Sequence, residues 1–307
     1  MAKRQRMVLF HRDFHGFTGG HLKVWDYFQH VKQAQEFYPE VFLSSDSLRD
    51  QTNPWIAAGE SLIPEWRPEL ADILFLGGLD WQVVPKHLDL PMINLIQHVR
   101  HADLDDPRRE FLTRKAIRIS VSPEVEAAIR LTGEVNGPLF TVPLGLASED
   151  VGNPQPEQDI PILIAGLKQP QLARNLASTL ADSAIAHICQ TAPLSRRDYL
   201  HLLSRATITV FLPMQKEGFY LPALEAMMLG SLVICPDCIG NRSFCLDQLN
   251  CYRPGYNLDE IKSACLAAMQ LSPVQRQQML DAGRSMVDSH QLQQEQSMFL
   301  DILSSVD

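Results

Sequence analysis

The stretch Phe211-Leu212-Pro213-Met214-Gln215-Lys216-Glu217-Gly218-Phe219-Tyr220-Leu221-Pro222-Ala223-Leu224-Glu225-Ala226-Met227-Met228-Leu229-Gly230 carries more structural information than any other in the chain. An apolar, β-rich run ends at Pro213 and a turn passes through Gly218. A helix is expected to start near Leu221, with Pro222 in its first turn, where a missing N–H costs nothing. A buried strand, a glycine-bearing turn and a helix in succession make half of a parallel α/β unit. The first-turn amides of such a helix, at the positive end of its dipole, suit an anion such as a diphosphate. Two carboxylates flank that place: Glu217 in the turn and Glu225 about one turn into the helix. An acid so placed can hold a ribose diol, as in dinucleotide-binding folds. Lys216 adds a counter-charge.

The same grammar runs in both directions. Before this stretch, strands are expected at residues 7–10, 41–44, 73–76, 93–96, 117–122 and 140–143. Helices are expected at 21–34 and 123–131, the first following a loop with Gly16, Gly19 and Gly20. Residues 147–159 are polar, contain Gly152, Pro154 and Pro156, and read as a linker. Beyond it, strands are expected at 162–165, 185–189, 208–212 and 232–235, and helices at 172–180, 196–204, 222–229, 258–270, 273–289 and 291–303. This predicts two α/β domains, 1–150 and 151–289, with 290–307 packing back on the first. Ligands in such sheets sit beyond the carboxyl ends of the strands, so functional residues are sought in the loops that follow them.

The 307 residues suit two domains, and 45% hydrophobic with 21% charged residues is an ordinary globular composition. Lys and Arg total 27 against 36 Asp and Glu, a net charge of −9, which argues against a general nucleic-acid binder. Neither a signal-peptide apolar stretch nor a run of about 20 apolar residues is present. The expected location is cytoplasmic, with reduced thiols at all six cysteines.

Residues 217–230 resemble the Glu-x7-Glu signature of the family-four retaining glycosyltransferases, E-G-F-G-L-P-x-L-E-A-M-x-x-G, with the spacing intact. The one departure is Tyr220, where the family usually has Gly. Weaker landmarks agree in order over residues 7–270: Gly19-Gly20, His98, Ser120-Val121-Ser122-Pro123-Glu124, Val142-Pro143-Leu144-Gly145, Gly240-Asn241-Arg242 and Asn250-Cys251. The resemblance implies an α/β fold of GT-B type, two Rossmann-like domains facing each other across a cleft, the second holding the donor. It implies transfer from a nucleotide-diphosphate sugar to a glycan or glycolipid, with retention and without metal or other cofactor. Lys168, and Arg174 six residues on, would stabilise the leaving diphosphate. Glu217 would bond hydroxyls of the transferred sugar, Glu225 would hold the ribose, and His98 would contact the sugar near its reacting carbon. Gly19 and Gly20 would let backbone approach the diphosphate, and Gly218, Phe219, Tyr220 and Leu221 would line the donor.

Other signals are weaker. Cys235-Pro236-Asp237-Cys238 with Cys245 and Cys251 has the form of a zinc site but reads as small apolar filler. Asp103-Leu104-Asp105 has the Asp-x-Asp form of metal-dependent transferases, a pattern short enough to recur by chance. Trp81, which could stack on an acceptor sugar or lie partly buried, joins His15 and Phe17 as an acceptor-side candidate. Two alternatives stay open: a phosphorylase or epimerase of the same fold, or a catalytically silent nucleotide-sugar-binding subunit. The chain is short for the family, so a partner or the inner face of the membrane could complete the site.

Overall fold

The computed structural model describes residues 4–147 and 157–306, which divide into two compact units. One runs as far as Leu144 and resumes at Gln293; the other spans Gly145–Leu292. The domain boundary expected between residues 150 and 151, with most of the expected linker, lies outside the described residues.

The first unit is a six-stranded sheet in the order β2-β1-β3-β4-β5-β6, every pair parallel. Its strands are β1 (Arg6–Arg12), β2 (Phe37–Leu43), β3 (Ile73–Gly77), β4 (Met92–Ile96), β5 (Ile117–Ser120) and β6 (Leu139–Thr141). β3 and β4 are buried at every position, as central parallel strands covered on both faces must be. β2 begins earlier than its apolar run suggests because it is an edge strand, where Pro39 leaves no ladder bond unmade. The helices of this unit are α1 (Gly19–Lys32), α2 (Pro54–Ala57) and α3 (Pro123–Arg130). α1 starts two residues before the expected position because the Thr18 hydroxyl accepts from His21 N at 3.2 Å, drawing both glycines into the first turn.

The second unit is a five-stranded parallel sheet in the order β11-β10-β9-β7-β8. Its strands are β7 (Ile160–Ala165), β8 (Ile188–Gln190), β9 (Ala206–Phe211), β10 (Leu232–Ile234) and β11 (Cys251–Tyr252). Its helices are α4 (Pro170–Asp182), α5 (Arg196–Ser204), α6 (Leu221–Met228), α7 (Leu258–Met269) and α8 (Pro273–Asp288). Ile162, Ile164, Ile208 and Val210 from the central strands meet Leu176 of α4 and Ile261 of α7 in one apolar core. Gly166, just after β7, lets α4 fold back tightly: a Cβ there would lie 2.1 Å from Cβ of Ala173.

α9 (Leu292–Ser304) belongs, from Gln293 onward, to the first unit. Phe299 is fully buried, with ring centroids 4.7 Å from Tyr27 and 6.0 Å from Phe75. Glu295, 1% exposed, accepts from Lys23 Nζ at 2.8 Å and meets His30 Nε2 at 3.2 Å. A carboxylate buried so deeply is tolerable only with such partners. At the other end of the helix, Leu146 and Gln291 form a parallel bridge. Leu146 N donates to His290 O at 2.8 Å, and Leu292 N to Leu146 O at 3.2 Å. Gly145 permits this approach, since an added Cβ would lie 2.6 Å from Cα of Leu292.

Candidate functional site

Each sheet has one place where successive crossovers leave in opposite directions, which is where open α/β sheets bind ligands. In the second unit it lies between β7 and β9, neighbours in the sheet, with β8 on one side and β10 on the other. Lys168 follows β7 and Glu217 follows β9, and their side chains meet: Nζ of Lys168 is 2.6 Å from Oε1 of Glu217. The same oxygen accepts from Met214 N at 3.1 Å. Glu217 is 8% exposed whereas the Lys168 side chain is 44% exposed, so the ammonium is the half of the pair that solvent reaches.

The turn carrying Glu217 is clamped from behind by the loop after β10. Glu217 N donates to Cys238 O at 2.9 Å and Tyr220 N to Gly240 O at 2.8 Å. The loops touch so closely that a Cβ on Gly240 would lie 2.7 Å from the carbonyl carbon of Gly218. Fully buried Asn241 braces the second loop, its Oδ1 accepting from Cys238 N at 3.2 Å and its Nδ2 donating to Pro236 O at 3.0 Å. Phe219 packs on Phe244 and His290, with centroids 4.7 and 5.7 Å away. The Tyr220 ring is buried edge-on against Phe211, and Lys168 Nζ stands 5.4 Å from its centroid, a cation–π arrangement. Burial holds the Tyr220 phenol well above its ordinary pKa, so it stays neutral.

Glu225, in the middle of α6, is 1% exposed. Its Oε1 lies 2.5 Å from Nη1 of Arg196, the first residue of α5.

In the first unit the corresponding place lies between β1 and β3. Asp80 ties the two strand ends together: Oδ2 accepts from Arg12 Nη1 at 2.9 Å and from Gly77 N at 2.8 Å, and Oδ1 meets His11 Nδ1 at 3.2 Å. Arg12 Nη2 contacts His21 Nδ1 at 2.9 Å. A guanidinium can only donate, so Nδ1 accepts and the His21 proton sits on Nε2. Burial, followed by the Arg12 charge, lowers the His21 pKa to about 4, which keeps the ring neutral. The glycine turn lies next to β4's end, because Gln97 Nε2 donates to Gly20 O at 3.2 Å. His98 caps the short helical turn Val99–Ala102, its Nδ1 accepting from Arg100 N at 3.0 Å.

No family model matches this sequence, and no curated protein matches it at the sequence level. Solved structures do match the fold. Sucrose-phosphate synthase from Thermosynechococcus elongatus superposes with a TM-score of 0.70 at 13% identity, covering 98% of both chains. HepE from Anabaena, solved with UDP and glucose, gives 0.73 at 11% identity over 98% of this chain and 100% of its own. A glycosyltransferase from Rickettsia africae gives 0.67 at 11% identity over 97% of each. The fold is GT-B. At such identities the likeness speaks for fold alone.

Within this fold the second unit brings Lys168 together with Glu217 and sets Tyr220 beneath the lysine. It does not bring in Arg174, which is exposed on α4 and donates to Gln171 Oε1 at 3.0 Å on its own helix. The first-turn amides of α6 depart from expectation. Leu221 N donates to Phe219 O at 3.1 Å and Ala223 N to Tyr220 O at 3.2 Å, while Pro222 has no N–H. The amides of Leu221 and Ala223 are therefore already engaged within the turn. In the first unit, Gly19 opens on space, with nothing within 4 Å of an added Cβ, so the chain itself does not require glycine there. His15 and Phe17 are exposed, and His15 contacts Asp13 at 3.0 Å. Trp81 offers no stacking surface to a sugar: it is 1% exposed, with Phe111 stacked at 6.2 Å and the Arg114 guanidinium 4.6 Å over its ring. The cysteines at 235, 238, 245 and 251 are buried free thiols. Among the described residues no group of three or more His, Cys, Asp or Glu side chains is arranged to hold a metal ion, and no helix is long and apolar enough to cross a membrane. Reading the sequence missed Arg196; its only sign was the Ser195-x-x-Asp198 cap, which puts Arg196 at a helix start.

Proposed function

We propose that this protein is a glycosyltransferase that moves a sugar, with retention of configuration, from a nucleoside-diphosphate sugar to a glycan or glycolipid acceptor. The observation that carries the reading is the 2.6 Å pair of Lys168 and Glu217 where the crossovers of the second sheet diverge. One cation that solvent reaches and one carboxylate in a braced turn suit a substrate with an anionic leaving group beside a polyhydroxyl ring. Lys168 stabilises negative charge on the departing diphosphate, the kind of preorganised electrostatics that contributes most to such reactions. Glu217 accepts from hydroxyls of the transferred sugar and orients Lys168. Glu225 accepts from the ribose diol. His98, with its ring proton on Nε2, donates to the sugar near the reacting carbon. Gly19 and Gly20 leave room for the diphosphate, with Arg174 at most a peripheral cation. The leaving phosphate takes the acceptor's proton as the acceptor attacks from the face the diphosphate leaves, with no metal or other cofactor. Hexoses and deoxyhexoses are the sugars expected, and a cytoplasmic site of action, with docking to the inner membrane face, suits a glycolipid acceptor.

UDP-glucose is the first donor to test, since HepE was solved with UDP and glucose. The purified protein, supplied with UDP-, GDP- and ADP-sugars, is expected to release free nucleotide from one donor, slowly to water and faster with an acceptor. A donor that binds but is never consumed, across a panel of glycan and lipid acceptors, would instead support a silent nucleotide-sugar-binding subunit. The internally bonded amides of Leu221 and Ala223 favour that second reading.

A further inference from the structure

We infer that Arg196 is a positioning residue for nucleoside recognition, holding the Glu225 carboxylate in the orientation that accepts the ribose diol. This rests on the reading of Glu225 given above and extends it to a residue with no counterpart in the Glu-x7-Glu signature. Three observations converge on it. Glu225 is 1% exposed in a helix whose other buried residues, Leu221, Ala223, Leu224, Ala226 and Met227, are all apolar. A carboxylate there persists as an ion only beside a cation, and Nη1 of Arg196 supplies one at 2.5 Å.

Arg196, second, occupies a position that its own helix disfavours. It is the first residue of α5, at the positive end of the dipole, where an acid is stabilising and a cation is not. The helix start is already satisfied without it: Ser195 caps α5, its Oγ accepting from Asp198 N at 3.1 Å. A cation at a helix start that disfavours it is offset here by the Glu225 carboxylate beside it.

The pair, third, lies at the margin of the unit. The Arg196 side chain is 25% exposed while that of Glu225 is 2% exposed. The guanidinium is therefore the half of the pair that solvent reaches. The planar guanidinium also fixes the plane of the carboxylate, which a lysine ammonium does not.

A residue that only balanced charge would affect stability without affecting the choice between ribose and deoxyribose. Calorimetric titration with UDP, GDP and ADP identifies the nucleotide bound, and its 2′-deoxy counterpart is then titrated beside it. Wild type is expected to prefer the ribonucleotide at least tenfold. Arg196→Ala should lose most of that preference and bind the ribonucleotide at least tenfold more weakly, while Arg196→Lys recovers only part. Should Arg196→Ala fail to fold, Arg196→Gln, a neutral donor of similar reach, carries the same expectation. Unchanged ribose preference in a folded Arg196 variant overturns the inference and leaves the donor reading intact. Failure of wild type to bind any of the three diphosphates overturns the donor reading and this inference with it.

Discussion

Lys168 Nζ lies 2.6 Å from Glu217 Oε1, across two neighbouring parallel strands and 49 residues of sequence. The carboxylate is shielded and the ammonium is half-exposed, so each residue sets the position of the other's charge. Glu217→Ala removes an acceptor for sugar hydroxyls and releases the lysine. It is expected to lower kcat about 100-fold, the scale seen when one preorganised polar group is lost, with a smaller change in KM for the donor. Lys168→Ala should lower kcat comparably, and the double variant should lose far less than the product of the two. Steady-state donor consumption checks this, and strict multiplicativity would refute the pairing.

Tyr220 stands where the signature that residues 217–230 resemble usually has glycine, and its buried ring supports Lys168 at 5.4 Å. Tyr220→Gly empties a site packed against Phe211 and should cost about 3–5 kcal/mol of stability, the range for large aromatic deletions. The freed lysine should also lower kcat in whatever protein remains folded. Thermal melting and kinetics on the soluble fraction separate the two effects.

Two glycines make a controlled contrast. Gly240→Ala forces a Cβ to within 2.7 Å of the Gly218 carbonyl carbon, so the Glu217 turn must shift. A loss of about 1–3 kcal/mol in stability together with weaker donor binding is expected. Gly19→Ala meets nothing within 4 Å and should leave the melting temperature unchanged. If that turn admits a diphosphate, however, the same variant should weaken nucleotide binding measurably in a calorimetric titration.

Acid should destabilise the first unit. Burial lowers His101 to about 3, and His21 to about 4, from an ordinary value of 6.5. The unfolded chain therefore takes up protons first as pH falls below about 6.5, and stability drops until the folded values are reached. For His101 this amounts to about 2 kcal/mol by pH 5, at 1.36 kcal/mol per pH unit. Denaturant melts at pH 7.5 and pH 5 measure it. His101→Asn, which cannot titrate, should flatten the dependence.

Much of the fold was legible because its strands are apolar runs buried on both faces, separated by helices with ordinary caps. The residues at 73–76 and 93–96 lie within strands, and α5 has the bounds expected of it. What escaped notice was short, at an edge, or dependent on distant partners. β11 is two residues long and follows from pairing with β10, not from a pattern of its own. Trp81 became core only because Phe111 and Arg114, some 30 residues on, close over it. The sequence set Lys168 and Glu217 each after a strand; their contact depends on β7 and β9 being neighbours, which sheet order decides. Arg174 is exposed, whereas α4 buries Ala173, Leu176 and Leu180, so it carries the right charge on the wrong helix face. The first turn of α6 could not be read in advance, since Pro222 is visible in the sequence but the carbonyls that Leu221 and Ala223 find are not.

The backbone ladder between Leu146 and residues 290–292 has a bearing on how the gene could be cut. Entry to and exit from the Gly145–Leu292 body are stitched side by side, so that body is an insert looped out of its host through adjacent doors. A fragment bounded by those residues begins and finishes with a bond to itself, and permuted versions whose new ends lie elsewhere in the insert need only a short splice across the old ones.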